Sequence, residues 1–168
     1  MPAGAELRKI HFAEEWNEMH HLQIMESLGG DRVWFDRFVA DHSAIAYYWL
    51  LILFYLISPK LAYNFMQRVE YHAMDTYAVF VKQNKELLAT IPPPRVALDY
   101  YLNQDLYLFD EFQQGDRAKP RRPTCNNLYD VFVNIRDDES EHVKTMGACQ
   151  DESIAAKLAQ GRSSGNAP

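Results

Sequence analysis

Cysteine is scarce in this chain, with only Cys125 and Cys149. They form no CxxC pair and no zinc spacing, which excludes a dithiol redox motif or a thiolate zinc module and leaves two ordinary thiols. Organised positive charge is also missing. The net charge is -6, and Lys and Arg form no stripe with interleaved aromatics, so nucleic acid is not an expected partner. The chain has no uncharged apolar run of bilayer length. The longest, Ala44–Ile57 (AIAYYWLLILFYLI), would span about 21 Å as a helix, against a hydrocarbon core of about 30 Å. The opening MPAGAELRKIHF has the pattern of neither a signal peptide nor an Arg/Ser-rich transit peptide. No internal repeat is visible, and low complexity is confined to Gly161–Pro168.

What is present is a composition rich enough for a packed core: 168 residues, 48% hydrophobic and 13% aromatic. Helical spacing dominates, so the expected class is all-α. Gly29-Gly30 should stop a first helix of about 6–28, and Ser58-Pro59 should separate a second, about 33–57, from a third, about 59–89. A short helix is expected at 96–102, before the segment DLYLFDEF (Asp105–Phe112) and the basic loop GDRAKPRRP with Arg117, Lys119, Arg121 and Arg122. A last helix should start at Asn126 or Asn127 and end near Gln150. The expected domain is 1–150, with a disordered tail at 151–168.

Three of these helices carry acids where a hydrophobe belongs. On the first, Leu7, His11, Glu14, Glu18, His21, Met25 and Leu28 share a face that is polar in the middle and apolar at its ends. On the third, Glu70 interrupts Met66, Ala73, Tyr77 and Phe80. On the last, Glu139 and His142 interrupt Leu128, Val131, Ile135 and Met146. A bare buried carboxylate costs several kcal/mol, and a shared metal compensates several at once. Di-iron carboxylate bundles use a Glu-x-x-His pair from each of two helices and one Glu from each of two others. A mixed oxygen and nitrogen ligand set suits iron or manganese. Spacing alone is only suggestive: eleven Glu and six His yield roughly 0.4 such pairs by chance. A surface Glu and His on a solvated face is the competing reading; placement on apolar faces favours metal.

The flanking sequence is more specific. HFAEEWNEMHHLQIMESLGG, WFDRF, YLISPKLAYNF, VEYHAMDTY and NLYDVFVNIRDDESEHVKTM resemble the alternative oxidase family from about Ala5 to Gln150, and DLYLFDEF resembles a segment of its plastid terminal oxidase branch. The resemblance implies a ferritin-like di-iron carboxylate bundle, attached to one membrane leaflet, that oxidises two quinols (plastoquinol or ubiquinol) and reduces one O2 to two waters without pumping protons. It implies two Fe ions held by Glu18, His21, Glu70, Glu139 and His142, with His20 and Glu141 outside the ligand set. Tyr77 matches the tyrosine proposed to supply an electron and a proton; Ala73 and Thr76 match positions beside the quinol pocket. Asn17 and Asp138 match partners that orient the ligand histidines. A homodimer and a stromal-side thylakoid location are further implications, with a cyanobacterial or mitochondrial membrane as the alternative. A soluble di-iron oxygenase, a ferritin-like iron binder and an iron-deficient fragment are the competing functions.

One element of the family pattern has no match. Its fourth carboxylate lies on a helix upstream of the first Glu-x-x-His, and Glu6, Glu14, Glu15, Asp36, Asp41 and His42 do not correspond to it. The expectation is therefore a chain incomplete at its N-terminus, lacking the family's first helices. His11, His42 and His72 are expected to be surface or satisfied core histidines. The second helix is expected to lie along one leaflet, with Tyr47, Tyr48, Trp49 and Tyr55 at the interface and Leu51 and Phe54 in lipid contact.

Overall fold

Gly29 ends the first helix. Its φ of 94° is the left-handed conformation that only glycine adopts freely, and a Cβ there would lie 2.9 Å from Arg32 Nε. The turn closes with Gly29 N–H on Glu26 O at 2.8 Å and Gly30 N–H on Met25 O at 2.9 Å. The protein is described by a computed structural model covering residues 2–103, 107 and 123–151, with side chains from residue 7. The elements are α1 (Pro2–Ser27), α2 (Trp34–Ile57), α3 (Pro59–Leu88), α4 (Arg95–Leu102) and α5 (Leu128–Ala148). Among the described residues every element is a helix, as expected. The basic loop before Pro123, the tail beyond Asp151 and most of DLYLFDEF lie outside the described residues; Tyr107 of that segment is inside.

The remaining boundaries follow local chemistry. Ser58 is the single extended residue between α2 and α3 (φ -164°), its N–H held by Phe54 O at 2.8 Å, and Pro59 starts α3 where a missing N–H is harmless. Pro92–Pro94 prevent α3 from continuing and place Pro94 as the cap of α4. Asn127 caps α5: its side-chain oxygen accepts Asp130 N–H at 2.9 Å, while Asp130 accepts from Asn126 N–H and Nδ2 at 3.0 and 2.9 Å.

The core lies where α3, α4 and α5 meet α1. Ile24, Val81, Leu88, Ala97, Tyr100, Val131 and Ile135 pack there. Each Ile, Val or Leu among them, fully buried, contributes about 1.5–3 kcal/mol. Leu128 N–H on Ile91 O (2.8 Å) ties the start of α5 to the end of α3, and at the other end Gln150 bonds Asn64 and Gln67 at 3.0 and 2.7 Å.

α2 departs from a core helix, because none of its residues is buried. Its inner side, Tyr47, Leu50, Leu51 and Phe54, is half-buried; Tyr47 and Phe54 meet Phe65 of α3 at 5.9 and 5.2 Å. Leu51 and Phe54 therefore do not point away from the bundle as expected, and Tyr47 is also turned inward. The helical period puts those residues on one face and Ile45, Trp49, Ile52 and Leu56 on the other, which is exposed. With 24 residues and a mean hydropathy of 1.4 over its most apolar window, α2 is long and apolar enough to cross a membrane by length and composition.

Candidate metal centre

The three acid-bearing faces converge. One ligand atom from each of Glu18, Glu70, Glu139 and His142 lies within 4.8 Å of the others. α1 contributes Glu18 and His21 one turn apart, α3 contributes Glu70, and α5 contributes Glu139 and His142 one turn apart. His142 Nδ1 stands 3.0 Å from Glu18 Oε1, 3.6 Å from Glu70 Oε2 and 3.5 Å from Glu139 Oε2. His21 Nδ1 stands 3.2 Å from Glu139 Oε1 and 3.8 Å from Glu18 Oε2. Both imidazoles thus turn Nδ1 inward. The two pairs cross: Glu18 of α1 reaches His142 of α5, and Glu139 of α5 reaches His21 of α1.

His20, next to His21, is buried but turned elsewhere, bonding Trp16 O at 2.7 Å and stacking on Tyr100 at 4.2 Å. His42 and His72 are exposed. His11 is more than a surface residue: it bonds Glu14 Oε2 at 2.8 Å and Tyr63 Oη at 3.0 Å. Glu14 is buried and directed to His11, so it adds no ligand to the cluster.

Electrostatics alone hold the cluster poorly. Burial pushes the Glu70 carboxyl up to about 7, with His142 opposing and the Glu18 charge adding to the rise. Burial works against Glu18 and Glu139 too, but attraction to the facing His142 and His21 imidazoles outweighs it and holds both below the usual carboxylate range. Burial would lower the two histidines, yet their carboxylate neighbours raise His21 to about 9 and His142 well above its ordinary value. The metal-free centre therefore keeps protons where cations would bind. His21 Nδ1 and Glu139 Oε2 are buried with no hydrogen-bond partner of good geometry. Orphaned inward lone pairs on a carboxylate and an imidazole are what a hard or borderline dication would satisfy, so the residues fit a bound metal ion.

Behind the ligands sits a buried polar support. Asp138 Oδ2 accepts from His21 Nε2 at 3.1 Å and from Asn17 Nδ2 at 3.0 Å. Asn17 also donates to Tyr100 Oη at 2.6 Å, and Tyr101 donates to Asp138 Oδ2 at 2.9 Å. The Asn17 and Asp138 positions are those the resemblance singled out. Tyr100 and Tyr101 were not, because two tyrosines in a short aromatic stretch read as packing. Tyr77, two turns beyond Glu70, meets Phe132 at 6.2 Å; burial raises its phenol, and charges on His21, Glu139 and Glu18 reach it. Ala73 is half-buried; Thr76 is exposed and donates to His72 O at 2.7 Å.

The sequence profile of the alternative oxidases matches residues 4–151. The chain belongs to the alternative oxidase family. It is 57% identical over 146 residues to ubiquinol oxidase 4, chloroplastic/chromoplastic, of Arabidopsis thaliana, covering 87% of this chain and 42% of that protein. The mitochondrial members are more distant: ubiquinol oxidase 1a of Arabidopsis thaliana is 27% identical over 135 residues (80% and 32% of the two chains), and ubiquinol oxidase 1 of Nicotiana tabacum 26% over 141 (83% and 34%). The resemblance to the plastid branch thus holds over the whole matched region. The chain spans less than half the length of these relatives. No solved structure matches it.

Proposed function

We propose that this alternative oxidase chain carries the di-iron centre of a quinol oxidase, with Glu18, His21, Glu70, Glu139 and His142 as ligands. The convergence of these side chains from three helices is the observation that supports it most. In the overall reaction two quinols lose four electrons and four protons, and one O2 becomes two waters, with no protons pumped. The irons, when bound, would supply the redox chemistry that passes electrons from quinol to O2.

The chain's own residues have separable tasks. Glu18 and Glu139, each facing both imidazoles, would hold the metal together with Glu70 and the Nδ1 atoms of His21 and His142. Asp138 orients His21. Tyr77, whose phenol feels the charges on His21, Glu139 and Glu18, would lend an electron and its Oη proton to the reduction of O2, both restored by quinol. Ala73 and Thr76 line the quinol's approach on α3. The outward face of α2 inserts into one leaflet, where a lipid-soluble quinol resides, and this favours a membrane quinol oxidase over a soluble iron binder. Plastoquinol as the donor, a thylakoid location on the stromal side and a homodimer are parts of the same proposal, drawn from the likeness to the chloroplastic relative.

Anaerobic Fe(II) titration of the purified chain, with elemental analysis, tests the centre. Iron retained by the native chain and lost by Glu139→Ala is the expected result. No more iron on the native chain than on that variant would refute the reading.

A further inference from the structure

Gly147 lies inside α5, where glycine is a poorer helix former than alanine and no left-handed conformation calls for it. What calls for it is a neighbour. A Cβ at 147 would stand 2.6 Å from Nε2 of Gln67 on α3, closer than real contacts allow. The missing side chain lets that amide in. Gln67 Nε2 donates to Val143 O at 3.1 Å, and Gln67 Oε1 accepts from Gln150 Nε2 at 2.7 Å. These bonds join α3 to the end of α5 beside the metal centre: Gln67 lies one turn before Glu70, and Val143 follows His142 in the chain. We propose that Gln67, admitted by Gly147, is a positioning residue for Glu70, fixing where along α5 the single ligand of α3 stands.

The physical argument starts from how each helix is held. α1 and α5 each bring two ligands one turn apart, so each is fixed to the centre at two points. α3 brings Glu70 alone, its Oε2 3.6 Å from His142 Nδ1. One point fixes neither the rotation nor the rise of a helix, so the register of α3 must be set by other contacts. Apolar packing is non-directional and tolerates small slides. A hydrogen bond weakens steeply once its geometry is lost, so the Gln67 amide on Val143 O selects one register, a single turn from the ligand. Displacing the amide is mild for the fold, because the atom a new Cβ would meet is the far end of a flexible side chain. The lost neutral hydrogen bond is worth roughly two- to tenfold in an equilibrium. Packing along α3 absorbs part of that, so metal affinity should fall about two- to fivefold.

The proposal rests on the metal reading of the centre, and the test separates the two. Gly147→Ala adds the one methyl that displaces the Gln67 amide, while favouring the helix. Its Co(II) affinity, read by ligand-field absorption of the whole chain, should fall about two- to fivefold with a metal-free melting temperature near the native value. In a Gln67→Ala background there is no amide to displace, and Gly147→Ala should cost no further affinity. In a Glu70→Ala background it should likewise cost none, because the ligand being placed is gone. In the metal-free chain, with Glu and His selectively labelled, NMR cross-relaxation between the Glu70 side chain and the His142 ring should weaken in Gly147→Ala. A native chain that binds no Co(II) refutes the metal reading, while the cross-relaxation still tests the positioning claim. Undiminished Co(II) affinity in Gly147→Ala when the native chain binds, an equal loss in either background, or unchanged cross-relaxation would overturn the claim itself. If Gly147→Ala does not fold, Gln67→Met keeps the stem and drops the amide; it must then lower Co(II) affinity in the native chain but not beside Glu70→Ala, and any other pattern rejects the proposal.

Discussion

Replacing Ile52 and Leu56 together by Glu should free the chain from membranes without unfolding it. The two lie one turn apart on the outward face of α2, 50% and 79% exposed, with Trp49 beside them. Fully burying such a side chain is worth about 1.5–3 kcal/mol, so the exposed fractions of both together offer about 3 kcal/mol to a lipid phase. At about 1.4 kcal/mol per tenfold, the lost contacts alone lower partitioning roughly a hundredfold, before any cost of placing two carboxylates near lipid. Flotation with uncharged phosphatidylcholine vesicles measures it, and circular dichroism confirms that the variant is folded. Phe54→Glu is the contrasting case: it strikes the contact with Phe65, so it should lower the melting temperature more than it alters partitioning. Undiminished vesicle binding by a folded Ile52→Glu/Leu56→Glu chain would refute the reasoning, as would complete release of the native chain by high salt, which screens charge and leaves apolar contact intact.

Three further outcomes are expected. Glu70→Gln should act in opposite directions on fold and metal: a carboxyl pushed from 4.5 to about 7 destabilises the metal-free chain at neutral pH by about 1–3 kcal/mol, so the amide should melt higher yet bind Fe(II) more weakly, and parallel changes would contradict this. Metal binding should release about two to three protons near neutral pH, from His21, His142 and part of Glu70, with affinity rising as pH is raised; calorimetry in buffers of different ionisation enthalpy would detect their absence. For His11, burial opposes protonation, but interactions with Cys149 and Glu14 raise its pKa to about 9. Because the folded value exceeds the ordinary 6.5, its contribution is complete below about 6.5 and lost as pH rises through about 9, so the melting-temperature gap between native and His11→Gln chains should close across that window; a constant gap would exclude the assignment.

Helix boundaries were legible because local chemistry decides them. Gly29, Ser58-Pro59, Pro92–Pro94 and Asn127 act within a few residues of chain, and α2, α3 and α5 start and stop within about two residues of where those signals placed them. The five inward donors were legible for a related reason, since a charge on an apolar face needs a compensating partner wherever that partner lies. The polar support around Asn17 and Asp138 was not legible, because nothing in Tyr100, Tyr101 or Tyr107 distinguishes a phenol that packs from one that also forms a hydrogen bond. The inward turn of Tyr47 and Phe54 was hidden for another reason: residues 44–57 of α2 are apolar all round, so their periodicity marks no face, and only contact with Phe65 does.

The crossing of the two Glu-x-x-His pairs has a consequence for how the protein persists in the cell. Glu18 and His142 come from opposite ends of the described chain, so the centre forms only when α1 has docked against α5. A metal that binds the assembled centre and not the unfolded chain would add to folding free energy: about 2.7 kcal/mol when free metal is a hundred times its dissociation constant. Without that term the two imidazoles and Glu139 are buried against the half-exposed Glu18 and the partly buried Glu70, and the charges press on one another. Iron supply should then set the lifetime of the polypeptide as well as its competence, with starved molecules opening more often and yielding to proteases first. Pulse proteolysis with and without Fe(II) would show it as a longer half-life for the loaded chain, and equal half-lives would deny the link.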